Sequence, residues 1–181
     1  ESGFVLSEHI RLNLGFAQDF INDKKNEMVN TTATLSYLKE LDNISILSGL
    51  SVMHELDVKA ASVFGGVSFN KFTLSYEIDK TENWILDSAS KALDSRANYF
   101  QMVYKPIQGL HFIAKYDFFD KDIDLVSGSI QRYSFGFEIY PLSIMEIKFQ
   151  ARQYEGKKEK DYILTDLELN TEYLIQVHTW F

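Results

Sequence analysis

The sequence predicts an all-β chain of antiparallel up-and-down strands. Three observations predict it. Long stretches alternate apolar and polar residues with period two, several links between them are too short for anything but antiparallel neighbours, and the composition is aromatic, with fourteen Phe, ten Tyr and two Pro in 181 residues.

Ten strands are expected, near 7–20, 28–39, 43–54, 57–69, 72–80, 97–106, 110–119, 129–140, 143–154 and 171–181. The first places Ile10, Leu12, Leu14 and Phe16 on one face, the second Thr31, Ala33, Leu35 and Tyr37, the third Ile44, Ile46, Leu50 and Val52. Val63, Gly65, Val67 and Phe69 turn at Asn70 and Lys71 into Phe72, Leu74, Tyr76 and Ile78, opposed by Thr73, Ser75 and Glu77. Phe100, Met102 and Tyr104 lead through Pro106-Ile107-Gln108-Gly109 into Leu110, Phe112, Ala114, Tyr116 and Phe118. Tyr133, Phe135, Phe137 and Ile139 then pass through Pro141-Leu142-Ser143 into the sharpest alternation of all. There Met145, Ile147, Phe149 and Ala151 oppose Glu146, Lys148, Gln150 and Arg152, a pattern no helix would use. The last strand sets Tyr173, Ile175, Val177, Thr179 and Phe181 against Leu174, Gln176, His178 and Trp180.

Alternation alone does not say which face meets water, because a soluble sandwich or lipocalin-like barrel alternates as well. Strand length and link length separate the two readings. Most aromatic faces have bulky members along ten or more residues, enough to cross about 25 Å of hydrocarbon at a tilt. The links at 40–42, 70–71, 107–109 and 141–142 are all short and fall at one end. At the other end fall 21–27, 55–56, 81–96, 120–128 and 155–170, four of them longer and two carrying the charge runs Asn22-Asp23-Lys24-Lys25 and Glu155 to Asp161. Short turns at one rim and long polar loops at the other is the asymmetry of outer-membrane barrels. Tyr104, Tyr140, Trp180 and Phe181 at one rim, with Tyr116, Phe118 and Phe119 at the other, suggest two aromatic girdles. The expected architecture is therefore a transmembrane antiparallel up-and-down β-barrel, one domain over 1–181. It is either a whole narrow barrel or the C-terminal part of a wider one, and an even strand count would put both chain ends at the short-turn rim.

Composition agrees without deciding. Apolar residues make up 45% and charged residues 24% of the chain, and no run of about 18 apolar residues suggests a membrane helix. The absence of cysteine removes disulfides and thiolate metal sites and fits an oxidising assembly route. A net charge of -8 argues against nucleic acid. The start at Glu1, without Met or a leader, suits a mature form after signal removal or a fragment.

Two stretches carry a family resemblance. ANYFQMVYKPIQGLHFIAKYDFFD, from Ala97 to Asp120, and RYSFGFEIYPLSIMEIKFQAR, from Arg132 to Arg152, resemble the C-terminal hairpins of porin-like Gram-negative outer-membrane β-barrel proteins. The carriers are a Tyr-x-Pro-Ile-x-Gly-Leu turn, a Tyr-Asp-Phe strand end and a hairpin through aromatic-Pro. With the last strand they span roughly the final 85 residues. The ending itself resembles the C-terminal signature of such barrels, which closes on Phe and is read by the assembly machinery. The resemblance thus implies an assembly signal at Tyr173, Ile175, Val177 and Phe181, and a place in the bacterial outer membrane.

The opposite face supplies a candidate lumen lining. Arg11, Glu77, Lys105, Lys115, Asp117, Arg132, Glu138, Glu146, Lys148 and Arg152 all fall on it, with Asn13, Thr32, Thr34, Ser36, Thr73, Ser75, Gln101, His111, Gln150, Gln176 and His178. Lys or Arg facing lipid at mid-depth costs about 2–4 kcal/mol, so these groups are expected to face inward. Both signs are present, which suits either a watery channel without strong ion selectivity or an interior of mutually satisfied ion pairs.

Passive porin-like passage of small hydrophilic solutes is the expected function. A non-conducting structural or partner-docking barrel is the alternative, and an outer-membrane hydrolase the third. The hydrolase would need an acid/base group at the long-loop rim, for which His54 with Glu55 and Asp57, or Asp117, Asp120 and Asp122, are the candidates. No nucleophile motif supports it, and the Gly65-Gly66 pair lies in a strand with no following helix, so it is not a phosphate loop. His9, His111 and His178 are expected to make ordinary hydrogen bonds from separate strands. No catalytic residue, cofactor or metal is expected. The partners expected are outer-membrane lipid, the barrel-assembly machinery, and a second copy or larger membrane complex, with no nucleic acid. The segment 81–96, with Trp84, Ile85, Leu86, Ala89, Ala92 and Leu93 at weakly helical spacing, is expected to be first of all a plain mobile loop, with constriction of the mouth or binding of an outside partner as the alternatives.

Overall fold

The computed structural model describes residues 2–18, 29–86, 92–125, 128–156 and 171–180. Eleven strands run in chain order: β1 (Ser2–Val5), β2 (Ile10–Gln18), β3 (Val29–Leu41), β4 (Ile44–Glu55), β5 (Val58–Phe69), β6 (Phe72–Leu86), β7 (Ala92–Ile107), β8 (Leu110–Asp120), β9 (Ile130–Leu142), β10 (Met145–Gly156) and β11 (Thr171–Thr179). Each pairs antiparallel with its sequence neighbours in one sheet of order β1 to β11. The chain is thus all-β and up-and-down, as its alternation predicts. The sheet is not closed into a barrel, and β1 and β11 are its edges.

The short turns are Asp42-Asn43, Asn70-Lys71, Gln108-Gly109 and Ser143-Ile144, all at one rim. Asn70 takes φ 51° and Gly109 φ 80°, left-handed conformations that these two residue types tolerate. The links at the other rim, beyond the two-residue Leu56-Asp57 turn, include 121–129 and two that fall largely outside the described residues, 19–28 and 157–170. The charge-rich loops expected there, like Phe181, lie outside the described residues.

Three expectations need correction. The described residues form eleven strands in place of ten, because Ser2–Val5 pairs with β2 from Ser2↔Leu14 to Val5↔Arg11. Four residues are too few for a period to show in the sequence, and the odd count moves the first strand's start to the long-link rim. Second, much of 81–96 is strand. Pairing of β6 with β7 continues through Thr81↔Ser95, shifts register, and resumes at Ile85↔Leu93 and Leu86↔Ala92. Asn83, at φ 58°, sits in that irregularity, and its backbone N–H donates to Asp94 Oδ1 at 3.1 Å. A bulge inserted there breaks period two, and the sequence consequently imitates helical spacing. Third, Tyr140 and Phe119 do not belong to girdles, since register sets both on the polar face with Glu138 and Asp117. Aromatic residues on the apolar face near the rims include instead Phe69, Phe72 and Tyr104 at one end, where the Phe72 and Tyr104 rings stack at 4.6 Å, and Phe16, Tyr116, Phe118, Tyr133 and Tyr173 at the other.

Burial is inverted relative to a soluble sheet. Ser134, Glu138 and Glu146 are 1%, 7% and 8% exposed, whereas Phe135 and Ile175 are 62% and 67% exposed. The pattern is clearest from β4 to β11. A single sheet has no second layer to cover either face. Its polar side chains can be buried only if the sheet curls and crowds them together, leaving the apolar face convex. Glycine at polar-face positions permits that crowding. A Cβ on Gly136 would lie 2.1 Å from the Phe149 carbonyl oxygen, and one on Gly49 would lie 2.3 Å from the Phe64 ring, which therefore folds over Gly49.

The paired status of 81–96 generates a prediction. Its deletion removes buried Leu93 and Ser95 and the outer end of the ladder between β6 and β7, with each lost backbone hydrogen bond worth about 1 kcal/mol. A urea titration of the refolded protein should show a stability loss of at least about 2 kcal/mol. An unchanged midpoint would mean that the segment behaves as the free loop its spacing suggests.

Candidate functional site: the concave polar face

Register fixes which side chains share the concave face. One row across the sheet reads Ser75, Gln101, Lys115, Ser134, Arg152, Glu172, and a second reads Thr73, Val103, Ile113, Gly136, Gln150, Leu174. A third, toward the short turns, holds His111, Glu138, Lys148 and Gln176, and a fourth, toward the long links, holds Glu77, Tyr99, Asp117, Arg132 and Tyr154. All ten of the charged residues singled out from the sequence fall on this face. Arg11 lies on it opposite Ser36, far from the others on β2.

The ion pairs and their polar partners fall into two groups. In the first, Asp117 takes Lys115 Nζ at 2.9 Å on one oxygen and both Arg132 Nε and a terminal Arg132 nitrogen at 2.9 Å on the other. Lys115 also lies 4.6 Å from the centre of the Tyr99 ring, and Arg132 6.0 Å from that of Tyr154. In the second, Lys148 Nζ sits 2.6 Å from Glu138 Oε1, while His111 Nδ1 is 3.6 Å from Glu138 Oε2. The Tyr140 hydroxyl lies 3.2 Å from Glu138 Oε2 and 3.0 Å from Glu146 Oε1, placed to donate to either. Glu146 Oε2 then meets His178 Nδ1 at 2.7 Å. A further pair, Arg152 with Glu172 at 3.4 Å, ties β10 to the edge strand, and Arg152 Nε donates to Gln150 at 2.7 Å. Tyr140 was the participant that reading for girdles misplaced, although its even position in the strand already assigned it to the polar face.

The hydrolase candidates are not brought together. His54 pairs with Lys59 on the convex side, while its neighbour Glu55 points to the concave face and accepts from Asn30 Nδ2 at 2.9 Å. Asp57 is in the turn, where its carbonyl accepts from Asn83 Nδ2. Asp117 is held by two cations, and Asp122 accepts the Asp124 backbone N–H. His9 lies in the link between β1 and β2, correcting its expected place on a strand, with its ring edge-on to Tyr37 at 5.9 Å. Among the described residues no three His, Asp or Glu side chains are grouped to hold a metal ion. Tyr173, Ile175 and Val177 line the convex side of β11, all exposed.

Between the rows of ion pairs lies a recess of about 360 Å³, lined on its charged walls by Lys105, Lys115, Arg132, Lys148, Arg152 and Glu138. On the convex side a shallow apolar groove runs between Met102, Phe112, Phe135, Phe149 and Ile175. Comparison with protein-family models, with curated proteins and with solved structures finds no match.

Among the described Lys and Arg ion pairs of this face, Glu138–Lys148 has the most buried carboxylate, and its loss should be felt. Glu138→Gln and Lys148→Met, made singly and together, should give a coupling of about 1–3 kcal/mol in a double-mutant cycle read from urea unfolding. Coupling near zero would mean the two charges are each satisfied by water.

Proposed function

We propose that the chain is a porin-like outer-membrane strand array, its convex face against lipid and its concave face lining a water-filled path for small hydrophilic solutes. The inversion of burial carries this reading. A continuous band including Leu50, Val63, Leu74, Phe100, Met102, Phe135 and Ile175 is exposed on one side, far beyond the scattered apolar residues that a soluble surface tolerates. Hydrocarbon is the environment in which such a band is stable. The rim asymmetry and the resemblance of the C-terminal hairpins support the same placement, as does the outward set Tyr173, Ile175 and Val177 for recognition by the assembly machinery.

A membrane setting also requires that the open edges be completed. Unpaired backbone groups cost several kcal/mol each in hydrocarbon, so β1 and β11 need partner strands, from the same polypeptide or from a second copy. Completion gives a wider barrel, in the direction of the 16 or more strands that leave an aqueous channel. The second reading, a non-conducting structural or docking barrel, is favoured by the density of ion pairs across β8 to β11, which would serve equally to fill an interior. In neither reading does the chain act as an enzyme or bind nucleic acid.

Two measurements test the proposal. Leu50→Arg, at mid-strand on the convex face between Leu35 and Val63, should cost about 2–4 kcal/mol in lipid vesicles, against about 0.5 kcal/mol or less if that face meets water. Single-channel recording of protein extracted from its native membrane, with intact mass taken alongside, should give stable open steps and a mass above 21.0 kDa. A folded but silent protein would favour the non-conducting reading.

A further inference from the structure

The concave face divides by sign. On β2 to β6 its charged positions are Arg11 against Glu40, Glu55, Glu77 and Asp79, whereas the recess between β7 and β10 presents Lys105, Lys115, Arg132, Lys148 and Arg152 against Glu138. Counting the carboxylates that face those cations from beside the recess, Asp117, Glu172 and Glu146, five positive charges still face four negative ones. The surplus is local and opposes the chain's net charge of -8.

Shape follows the same plan. The row through Val103, Ile113, Gly136 and Gln150 forms the floor, and Gly136 contributes no side chain. The cations rise on both sides of it. On β9, Ser134 opposite Lys115 and Arg152 is four residues from Glu138 opposite Lys148, roughly 13 Å of strand at ~3.3 Å per residue. Long side chains converging from both sides leave a gap of small-solute size, and a volume of about 360 Å³ matches it. Donors remain for a guest: Lys105 pairs with no described residue, and Arg152 commits Nε and one terminal nitrogen, leaving the other. Guanidinium and ammonium groups set in this way recognise carboxylate or phosphate oxygens.

We infer that the recess between β7 and β10 is an anion-binding station, which selects small carboxylate- or phosphate-bearing solutes from those that reach the concave face. The inference rests on the channel reading for the route of access and deepens it by naming a solute class.

The test uses the full chain refolded into detergent micelles and into planar bilayers, with inorganic phosphate as probe. The unsubstituted protein should bind phosphate saturably at low salt by calorimetry and show an anion-favouring reversal potential in a potassium chloride gradient. The Lys105→Gln/Arg152→Gln variant should bind phosphate at least about tenfold more weakly, as expected for loss of hydrogen bonds to a charged group, and its reversal potential should move toward cations. Lys59→Gln, at the long-link rim and outside the recess, should match the unsubstituted protein. If the double variant fails to refold, Lys105→Gln alone decides, because Lys105 holds no described partner whose loss could unfold the sheet. Absence of saturable phosphate binding, or equal affinity in the variant, overturns the inference; should open steps persist in that case, the channel reading stands. Phosphate binding that the variant loses, in a protein that never conducts, upholds the station and overturns the channel.

Discussion

Everything in this molecule depends on a single antiparallel ladder that, among the described residues, has no second layer to lean on. A sandwich hides its apolar faces against each other; this sheet has two free faces and must match each to an environment. The backbone is satisfied strand by strand, through short turns that leave no choice of topology. What remains is the pleat, which sends alternate side chains to opposite sides and so sorts the sequence into one apolar and one polar surface. Curling then decides which surface is crowded. Here the polar one is inside, so the hydrophobic effect, which ordinarily closes a core, has little to act upon within the described residues beyond Leu93 and Val103.

The polar interior is held by a different chemistry. Side chains that are crowded and partly dried must pair, and the register makes this possible by placing Glu138 opposite Lys148 and Asp117 opposite Arg132 on adjacent strands. Such pairs specify register, since a slip by one residue would turn every charge onto the apolar face. They are not fully neutralising. One carboxylate, Asp117, serves two cations, and Glu138 serves Lys148 with His111 nearby, so positive charge is left over between the rows. The same arrangement that locks the strands therefore leaves a field in the recess, strengthened by its low exposure and weakened as salt enters.

Most of this was legible in the sequence, and the exceptions have physical causes. Period two located the strands from Ile44 to Arg152 and assigned Arg132, Glu138, Lys148 and their neighbours to one face, because a pleat imposes its period regardless of the solvent outside. What alternation could not convey was whether the sheet closes, since closure depends on curvature and on what meets β1 and β11. It also failed where the ladder is irregular. The bulge around Asn83 shifted phase and made strand look like loop, and β1 was too short for a pattern. Pairing between particular charges, and hence the uneven sign of the face, required register across four strands at once, to which no single segment testifies.

The two open features of the structure, its edges and its basic recess, are coupled through β11. Glu172 and His178 lie on this edge strand, the first in an ion pair with Arg152 and the second in a hydrogen bond with Glu146, both partners belonging to the network around the recess. In the proposed barrel, a strand that completes the edge would pair with Thr171–Thr179, and its concave side chains would stand next to those two residues. A neighbour bearing cations would draw Glu172 away and release Arg152 toward the recess. One bearing carboxylates would compete for Arg152 and reduce the positive surplus. In the barrel proposed above, the charge of the recess would be set jointly by this chain and by its edge partner, and the strand that completes the sheet would also tune what the concave face attracts.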